Sequence, residues 1–600
     1  MNNSRRDFLK KLPLAMSIPF TIAGIPIHVM GDNSLSRLAK ASQGTPRVLV
    51  ILQMAGGNDG LNNLVPVDAY DLYYSKRPNI AIPTKNKARG FVPLDSTLAT
   101  NAQVGLHPDM QAMKALYDIG RMTVVQGVSY KNNDGSHFRG RDIAFMGGSA
   151  KDYIQSGWLG RYLEGEYPTG NPAPNDFYHY PQDFLNPLVP ENTMIDPLAL
   201  EFGNDQSLIF HQMGNIPTSI STDASLNFAK DITDTNNPLE GFFETENVDP
   251  FGIPPAYLGG SAYFKELSWI LDLEDKAKDY ASRLLQLFNE GGVGSTDYPE
   301  SYPFNAPEGS KRNGLSPQLK LVARLLAGQV KLTGEVQTKV FLVKMGGFDT
   351  HVGQVESYDP TMGGHSALLY HMSSAMKAFQ EDLRARGLED SVLTVTTSEF
   401  GRRIYSNGSY GTDHGTGGPL YIFGKGVQPG VVGTVPDLNE ANVELQYDYR
   451  VVYANIMRDW MGITDDTRMN TIFPNNDIPG QGIMSAGGTS DGVTFETLPL
   501  AQQTITGAEG FISDRFSLED CYPNPAKDKT TISFKVNSSY QVNINLFDIQ
   551  GRKSKTLVDG VYAPGEHKVE VELSDLYAGT YIYEMKTGFY KESKKLIIKK

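Results

Sequence analysis

Apolar residues recur along this chain in two rhythms, and the change of rhythm marks its elements. "RVLVILQMAGG" (47–57) is a β-branched apolar run that stops in glycines, which predicts a buried strand. "RMTVVQGVSY" (121–130), "TKVFLVKMGGFD" (338–349), "SVLTVTTSEFG" (391–401) and "PLYIFGKG" (419–426) predict four more. Between these runs the period lengthens to that of a helix. "HPDMQAMKALYDIG" (107–120) carries Met110, Met113, Leu116 and Tyr117 at helical spacing, and "SPQLKLVARLLAGQVKL" (316–332) is amphipathic. "SHFRGRDIAFMGG" (136–148) predicts a helix capped by Ser136 and closed by Gly147. In "HSALLYHMSSAMKAFQEDLRARG" (365–387), Leu368, Leu369, Met372, Met376, Phe379 and Leu383 form a core-facing stripe. His365 opens that stripe and is expected to be packed, whereas His371 points elsewhere and is expected at the surface.

Strands alternating with amphipathic helices predict an α/β fold over residues 44–500, a mostly parallel sheet flanked by helices. Ligands of such sheets bind beyond the carboxyl ends of the strands. "GGNDG" (56–60), "GGFDTH" (346–351) and "SEFG" (398–401) each follow directly on a predicted strand. The sheet is therefore expected to gather them at one edge, although Asp59 and Asp349 lie 290 residues apart. "GTDHG" (411–415) adds Asp413 and His414 between glycines, with a plain polar turn as the alternative.

The pattern fades between about 165 and 315, where "EYPTGNPAPNDFYHYPQDFLNPLVPENT" is rich in Pro, Asn and Tyr. An irregular insertion is expected there, broken by a helix near 264–289. Residues 501–515 read as a linker. From 516 to 600 apolar and polar residues alternate between turn signals, which predicts a small β-sandwich.

Composition narrows the partners. The chain has 600 residues, more than one compact core accommodates, and a net charge of −14. That balance argues against nucleic acid or an anionic membrane surface as the main partner. The single cysteine, Cys521, excludes an intrachain disulfide and a Cys-rich zinc site. At the start, "NSRRDFLKK" precedes an uncharged, mostly apolar stretch with three prolines, "LPLAMSIPFTIAGIPIHVM". A basic start before a short apolar run reads as a signal peptide within a leader of residues 1–43, and no segment is apolar for long enough to make a stable membrane span.

The loop residues Asp59, Asp349, His351, Glu399, Asp413 and His414 are carboxylates and imidazoles, the donor set of zinc, manganese and similar divalent ions. Carboxylates crowded together repel unless a cation neutralises them. One or two ions are expected. Ser136 sits where helix-start amides favour an anion, with a simple cap as its alternative role. Arg402 is a candidate for gripping a substrate anion bidentately, with an Arg402–Arg403 surface pair as the alternative.

Three resemblances add to this reading. The S-R-R-x-F-L-K form of the leader resembles a twin-arginine (Tat) export signal. "GGNDGLN", "SHFRGRDI", "GFDTH", "SEFGR" and "GTDHG", in this order, resemble an uncharacterised, commonly Tat-exported bacterial family within the alkaline phosphatase-like, sulfatase-related superfamily. That resemblance implies a metal-dependent hydrolase of phosphate or sulfate esters, with a small molecule or a glycan ester as substrate. It implies Ser136 as nucleophile and Asp59, or its neighbour Asn58, with Asp349, His351, Glu399 and His414 as metal ligands. His137 and Arg139 join Arg402 as candidates for holding substrate. Superfamily members have an Asp-His pair where this chain has Glu399-Phe400, so a second ion lacks a ligand unless Asp413 or His137 substitutes. A non-catalytic secreted binding protein that keeps the fold is the competing expectation. Finally, "YPNPAKDKTTISF", "LFDIQGR", "GTYIYEM" and "KESKKLIIKK" resemble a type A sorting domain of the type IX secretion system. The resemblances imply Tat and type IX machineries as partners and passage through the periplasm to the cell surface or medium.

Overall fold

Val48–Met54 is buried at every position, as an apolar run with no polar alternation requires. It pairs in parallel with Val340–Met345 on one side and Val392–Ser398 on the other. Val340–Met345 in turn pairs in parallel with Ala199–Phe202. Gly418–Phe423 runs antiparallel between Val392–Ser398 and Met122–Ser129, so Met122–Ser129 points the same way as the central strands. The fold is mixed α/β around this mostly parallel sheet. The computed structural model describes residues 20–23, 25–30, 47–166, 196–203, 207–211, 230–231, 282–501, 516–536, 540–548, 552–563, 565–587 and 590–600.

Beyond Ala199–Phe202 the sheet gains Ile25–Met30, antiparallel, and then Phe20–Ile22. These strands come from the apolar run expected as a leader, and they bury Ile22 and Ile27. The remainder of that leader, residues 1–19 and 31–43, and most of the 165–315 insertion lie outside the described residues. So does the expected helix near 264–289, except for a helical stretch at 282–291.

The helices follow the periodicity. Leu315–Thr333 and Gly364–Ala385 bury their apolar stripes, and Leu368, Leu369, Met372, Met376, Phe379 and Leu383 are all inside. His365 is buried as expected. His371 corrects the sequence expectation: it is 1% exposed, and its Nε2 donates to the Ser310 carbonyl at 2.8 Å. The segment around Ser310 and Asn313 covers the flank that a single amphipathic stripe leaves to solvent. His137–Met146 starts at Ser136, whose Oγ accepts the Arg139 amide at 3.3 Å, and ends at Gly147 with φ 68°.

The chain divides into two compact units, residues 1–329 with 336–503, and residues 504–600 with 330–335. Within the second, the described strands make two antiparallel sheets, one of three strands and one of four. Alternate burial along Lys529–Val536 points Ile532, Phe534 and Val536 into a core shared with Ile544, Leu546, Tyr583 and Leu596. Cys521 is free and buried there. No helix among the described residues is long and apolar enough to cross a membrane.

Candidate metal centre

The register of the sheet aligns three chain exits. Met54 pairs with both Met345 and Ser398, so the loops that follow these residues leave the carboxyl edge side by side. Gly56 and Gly57 let them close up. Both have positive φ, and a Cβ added at Gly56 meets the Asp349 amide at 2.3 Å, while one at Gly57 meets the Phe400 ring at 2.2 Å. Thr412–His414 forms a short strand against Arg402–Ser406, with Arg402 opposite His414, and so carries Asp413 and His414 to the same edge.

Arg402 ties the loops together. It is 1% exposed and donates to the carbonyls of Gly57 (2.8 Å), Gly56 (2.5 Å), Thr412 (2.8 Å) and Phe348 (3.1 Å) and to Asp349 Oδ1 (2.6 Å). With its donors spent on four backbone carbonyls and one carboxylate, it positions the site's own loops. Arg139 similarly holds the carbonyls of Ala150 and Asp152 and lies over the Tyr153 ring.

Above Arg402, imidazoles and carboxylates converge. His137 Nδ1 is 2.6 Å from Glu399 Oε2, and its Nε2 is 3.5 Å from Asp349 Oδ2. Asp349 Oδ1 is 3.4 Å from His414 Nε2 and 3.3 Å from His351 Nε2. The two Nε2 atoms of His351 and His414 are 2.7 Å apart, and His351 Nδ1 is 3.4 Å from Asp413 Oδ1. Ligand atoms of His137, Asp349 and His414 lie within 4.8 Å of one another.

The electrostatics favour the ligating forms. Burial raises the Asp349 carboxyl, but the hydrogen bond and charge of Arg402, with His137 and His351, outweigh it and hold it below the usual range. Burial and Arg402 lower His414, keeping its imidazole neutral at pH 7. The Asn407 hydrogen bond leads the groups that lower Asp413. Lone-pair nitrogens and an ionised carboxylate at this spacing fit a divalent ion such as zinc or manganese.

Asp349, His351, Glu399, Asp413 and His414 thus meet, and His137 joins them. Asp59 and Asn58 do not share in these contacts. Asp59 is 1% exposed and its Oδ2 takes Arg77 Nη1 at 2.7 Å and the Gln354 amide. Asn58 is buried, its Oδ1 3.3 Å from His365 Nε2 and its Nδ2 without a partner among the described residues. It lines a cavity of about 40 Å³ beside Glu399, Phe400 and Tyr130. Ser136 caps its helix, one residue before His137.

Sequence reasoning missed Arg77, Gln354 and the buried role of Arg402. No periodicity marks them, because each acts through backbone carbonyls and partners distant in sequence. The reading also left His365 as simple packing. Burial lowers it to about 4, the Asp59 charge opposing and Arg77 adding to the shift. A depressed histidine is protonated in the unfolded chain before the folded one, so stability falls as pH drops from about 6.5 to about 4. The expected loss is roughly 3 kcal/mol from this group, one pKa unit being about 1.4 kcal/mol. Urea unfolding at pH 7 and pH 4.5 measures it, and His365→Gln should flatten the slope by about one proton.

The comparisons with known proteins fall in two parts of the chain. Residues 311–476 match a family described as a protein of unknown function, DUF1501. That stretch contains Asp349, His351, Glu399, Asp413 and His414. Residues 520–599 match the secretion system C-terminal sorting domain. The tail is a sorting domain. It indicates export by the type IX route to the cell surface or medium, with that machinery as partner. No curated protein matches the chain. Among solved structures, a Bacteroides thetaiotaomicron protein labelled 4S-sulf, tied to the metabolism of multiple glycosaminoglycans, is 10% identical with TM-score 0.30, covering 86% of this chain and 89% of that one. Phosphonate monoester hydrolase from Silicibacter pomeroyi is 12% identical with TM-score 0.26, covering 92% and 88%. Dimeric latent PorU from Porphyromonas gingivalis is 15% identical with TM-score 0.13, over 17% of this chain and only 10% of that one. At these scores none of the three bears on activity.

Proposed function

We propose that this is a secreted metal-dependent hydrolase of phosphate or sulfate esters, with the alkaline phosphatase-like architecture in residues 44–500 and the two C-terminal sheets packed as a sorting sandwich over 516–600. A Tat signal within residues 1–43 would take it into the periplasm before the type IX step, and 501–515 would link the two folded parts. The observation that carries the hydrolase reading is the convergence of His137, Asp349 and His414 at the carboxyl edge of the sheet. These side chains, with His351, would hold zinc or manganese. Such an ion would supply a positive centre for the ester's oxygens and favour a deprotonated attacking oxygen.

The chain's own groups do the rest. Ser136 is the nucleophile in this reading, attacking phosphorus or sulfur as the alcohol departs. It directly precedes His137 in the chain, at a helix start whose amides favour an anion. The serine's proton would leave with the departing alcohol and water would then release the seryl ester, while Glu399, 2.6 Å from His137 Nδ1, holds that imidazole's own proton and leaves its Nε2 for the ion. The competing reading, a non-catalytic binding protein, draws on Phe400, whose ring stands among the imidazoles and offers no lone pair.

Assays with aryl phosphate and aryl sulfate, with zinc or manganese added, separate the readings. Metal-dependent turnover is expected from the wild type. Ser136→Ala should abolish it while costing about 1 kcal/mol for the lost cap, and His414→Ala should remove both turnover and metal. Turnover fully retained in Ser136→Ala would make the serine a cap alone. A wild type that binds no metal and hydrolyses neither ester would defeat the enzyme reading.

A further inference from the structure

Two of the carboxylates expected as metal ligands, Asp59 and Glu399, are already matched by the chain. Asp59 faces Arg77 at 2.7 Å, with side-chain exposures of 1% and 0%. That guanidinium cannot swing away: Nε donates to the Ile404 carbonyl at 2.7 Å, Nη1 also reaches Asn62 Oδ1 at 2.9 Å, and Nη2 donates to the Arg403 carbonyl at 2.7 Å. Asp59 Oδ1 has no partner among the described residues. A divalent ion arriving there would meet a fixed positive charge across the same buried carboxylate, where poor screening makes like charges repel strongly.

Glu399 is committed as well. It is 8% exposed and bonds to His137 Nδ1. A carboxylate on one imidazole nitrogen sets the tautomer and leaves the other nitrogen's lone pair for a ligand. The free nitrogen, Nε2, is the one that faces Asp349. Phe400 packs beside the two imidazoles, 4% exposed, its ring centroid 4.9 Å from that of His137 and 4.5 Å from that of His414. The Gly57 backbone packs against the far edge of that ring.

We propose that the site takes one divalent ion rather than two, and that the chain fills the second place itself. Arg77 stands as the fixed cation against Asp59, Glu399 orients His137 from behind, and Phe400, packed on His137 and His414, offers no ligand. This inference rests on the metal-centre reading above and sharpens it. Asp59 becomes part of a buried ion pair, and Glu399 a positioning residue that acts through His137.

The test counts ions. The full chain is loaded with excess zinc, or with excess manganese, freed of unbound metal and analysed by plasma mass spectrometry against protein concentration. One ion per chain is the expected result, and two would overturn the proposal while leaving the metal centre standing. None would remove the metal-centre reading and this proposal with it. Titration against a competing chromophoric chelator then assigns roles without any substrate. Asp59→Asn should keep one ion with affinity changed less than about threefold, and Glu399→Gln should keep one ion bound about 10–100-fold more weakly, as loss of a carboxylate behind a ligating histidine does. A natively folded Asp59→Asn protein, by circular dichroism, that has lost its ion would overturn the proposal. If Asp59→Asn does not fold, the wild-type count decides alone.

Discussion

An Arg77→Met variant should lose about 3–5 kcal/mol of stability, because it strands the buried Asp59 carboxylate without its counter-charge. The pair sits at 2.7 Å with both side chains inside, so water cannot substitute for the lost guanidinium. The carbonyls of Ile404 and Arg403 lose this donor in the same step, and the side-chain oxygen of Asn62 keeps only the Tyr73 hydroxyl. Arg77 also holds the Asp59 carboxyl below its usual range, against the upward push of burial. The double variant Arg77→Met/Asp59→Leu should recover part of the loss, since an apolar pair leaves no buried charge. Urea unfolding of the three proteins at pH 7 measures this. A single variant within about 1 kcal/mol of wild type would show that the pair is not desolvated as the structure has it.

Arg402→Met should be comparably costly, about 3–5 kcal/mol, for a different reason. Its ion-pair partner Asp349 is half exposed, so the charge term is discounted for solvent screening. The larger cost comes from the carbonyls of Gly56, Gly57, Phe348 and Thr412, which lose their shared donor, each unmet buried group costing about 1–3 kcal/mol before relaxation. The variant has a second signature that Arg77→Met lacks. Arg402 fixes the loops bearing Asp349 and His414, so zinc affinity measured by chelator competition should fall at least about tenfold, as losses of supporting partners at metal sites do. Equal affinity in a destabilised variant would mean that the ligands hold their geometry without the arginine.

The two arginines show what the sequence determined and what it left open. The buried strands at 48–54, 340–345 and 392–398 were legible because an apolar run between glycines has few other places to go. Their parallel order placed the loops after them at one edge, which brought Asp349, His351 and Glu399 into view as neighbours. The cap and stop of His137–Met146 were legible too, since Ser136 and Gly147 act within one turn of chain. The strands of the tail were readable from alternation and turn signals, all local.

Tertiary structure decided the rest, and the reason is range. Which of two adjacent residues, Asn58 or Asp59, faces outward depends on how the loop packs, and packing turned both inward, toward His365 and Arg77. Arg402 reads in sequence like half of a surface arginine pair, because nothing nearby announces that four carbonyls from distant loops will converge on it. His371 reads as exposed until the segment around Ser310 lies over its helix. His137 could be named only as a possible substrate contact or substitute ligand, and the fold set its two nitrogens toward Glu399 and Asp349. Periodicity encodes which face of an element is buried. It carries no information about which charge will meet it there, because that partner arrives from hundreds of residues away.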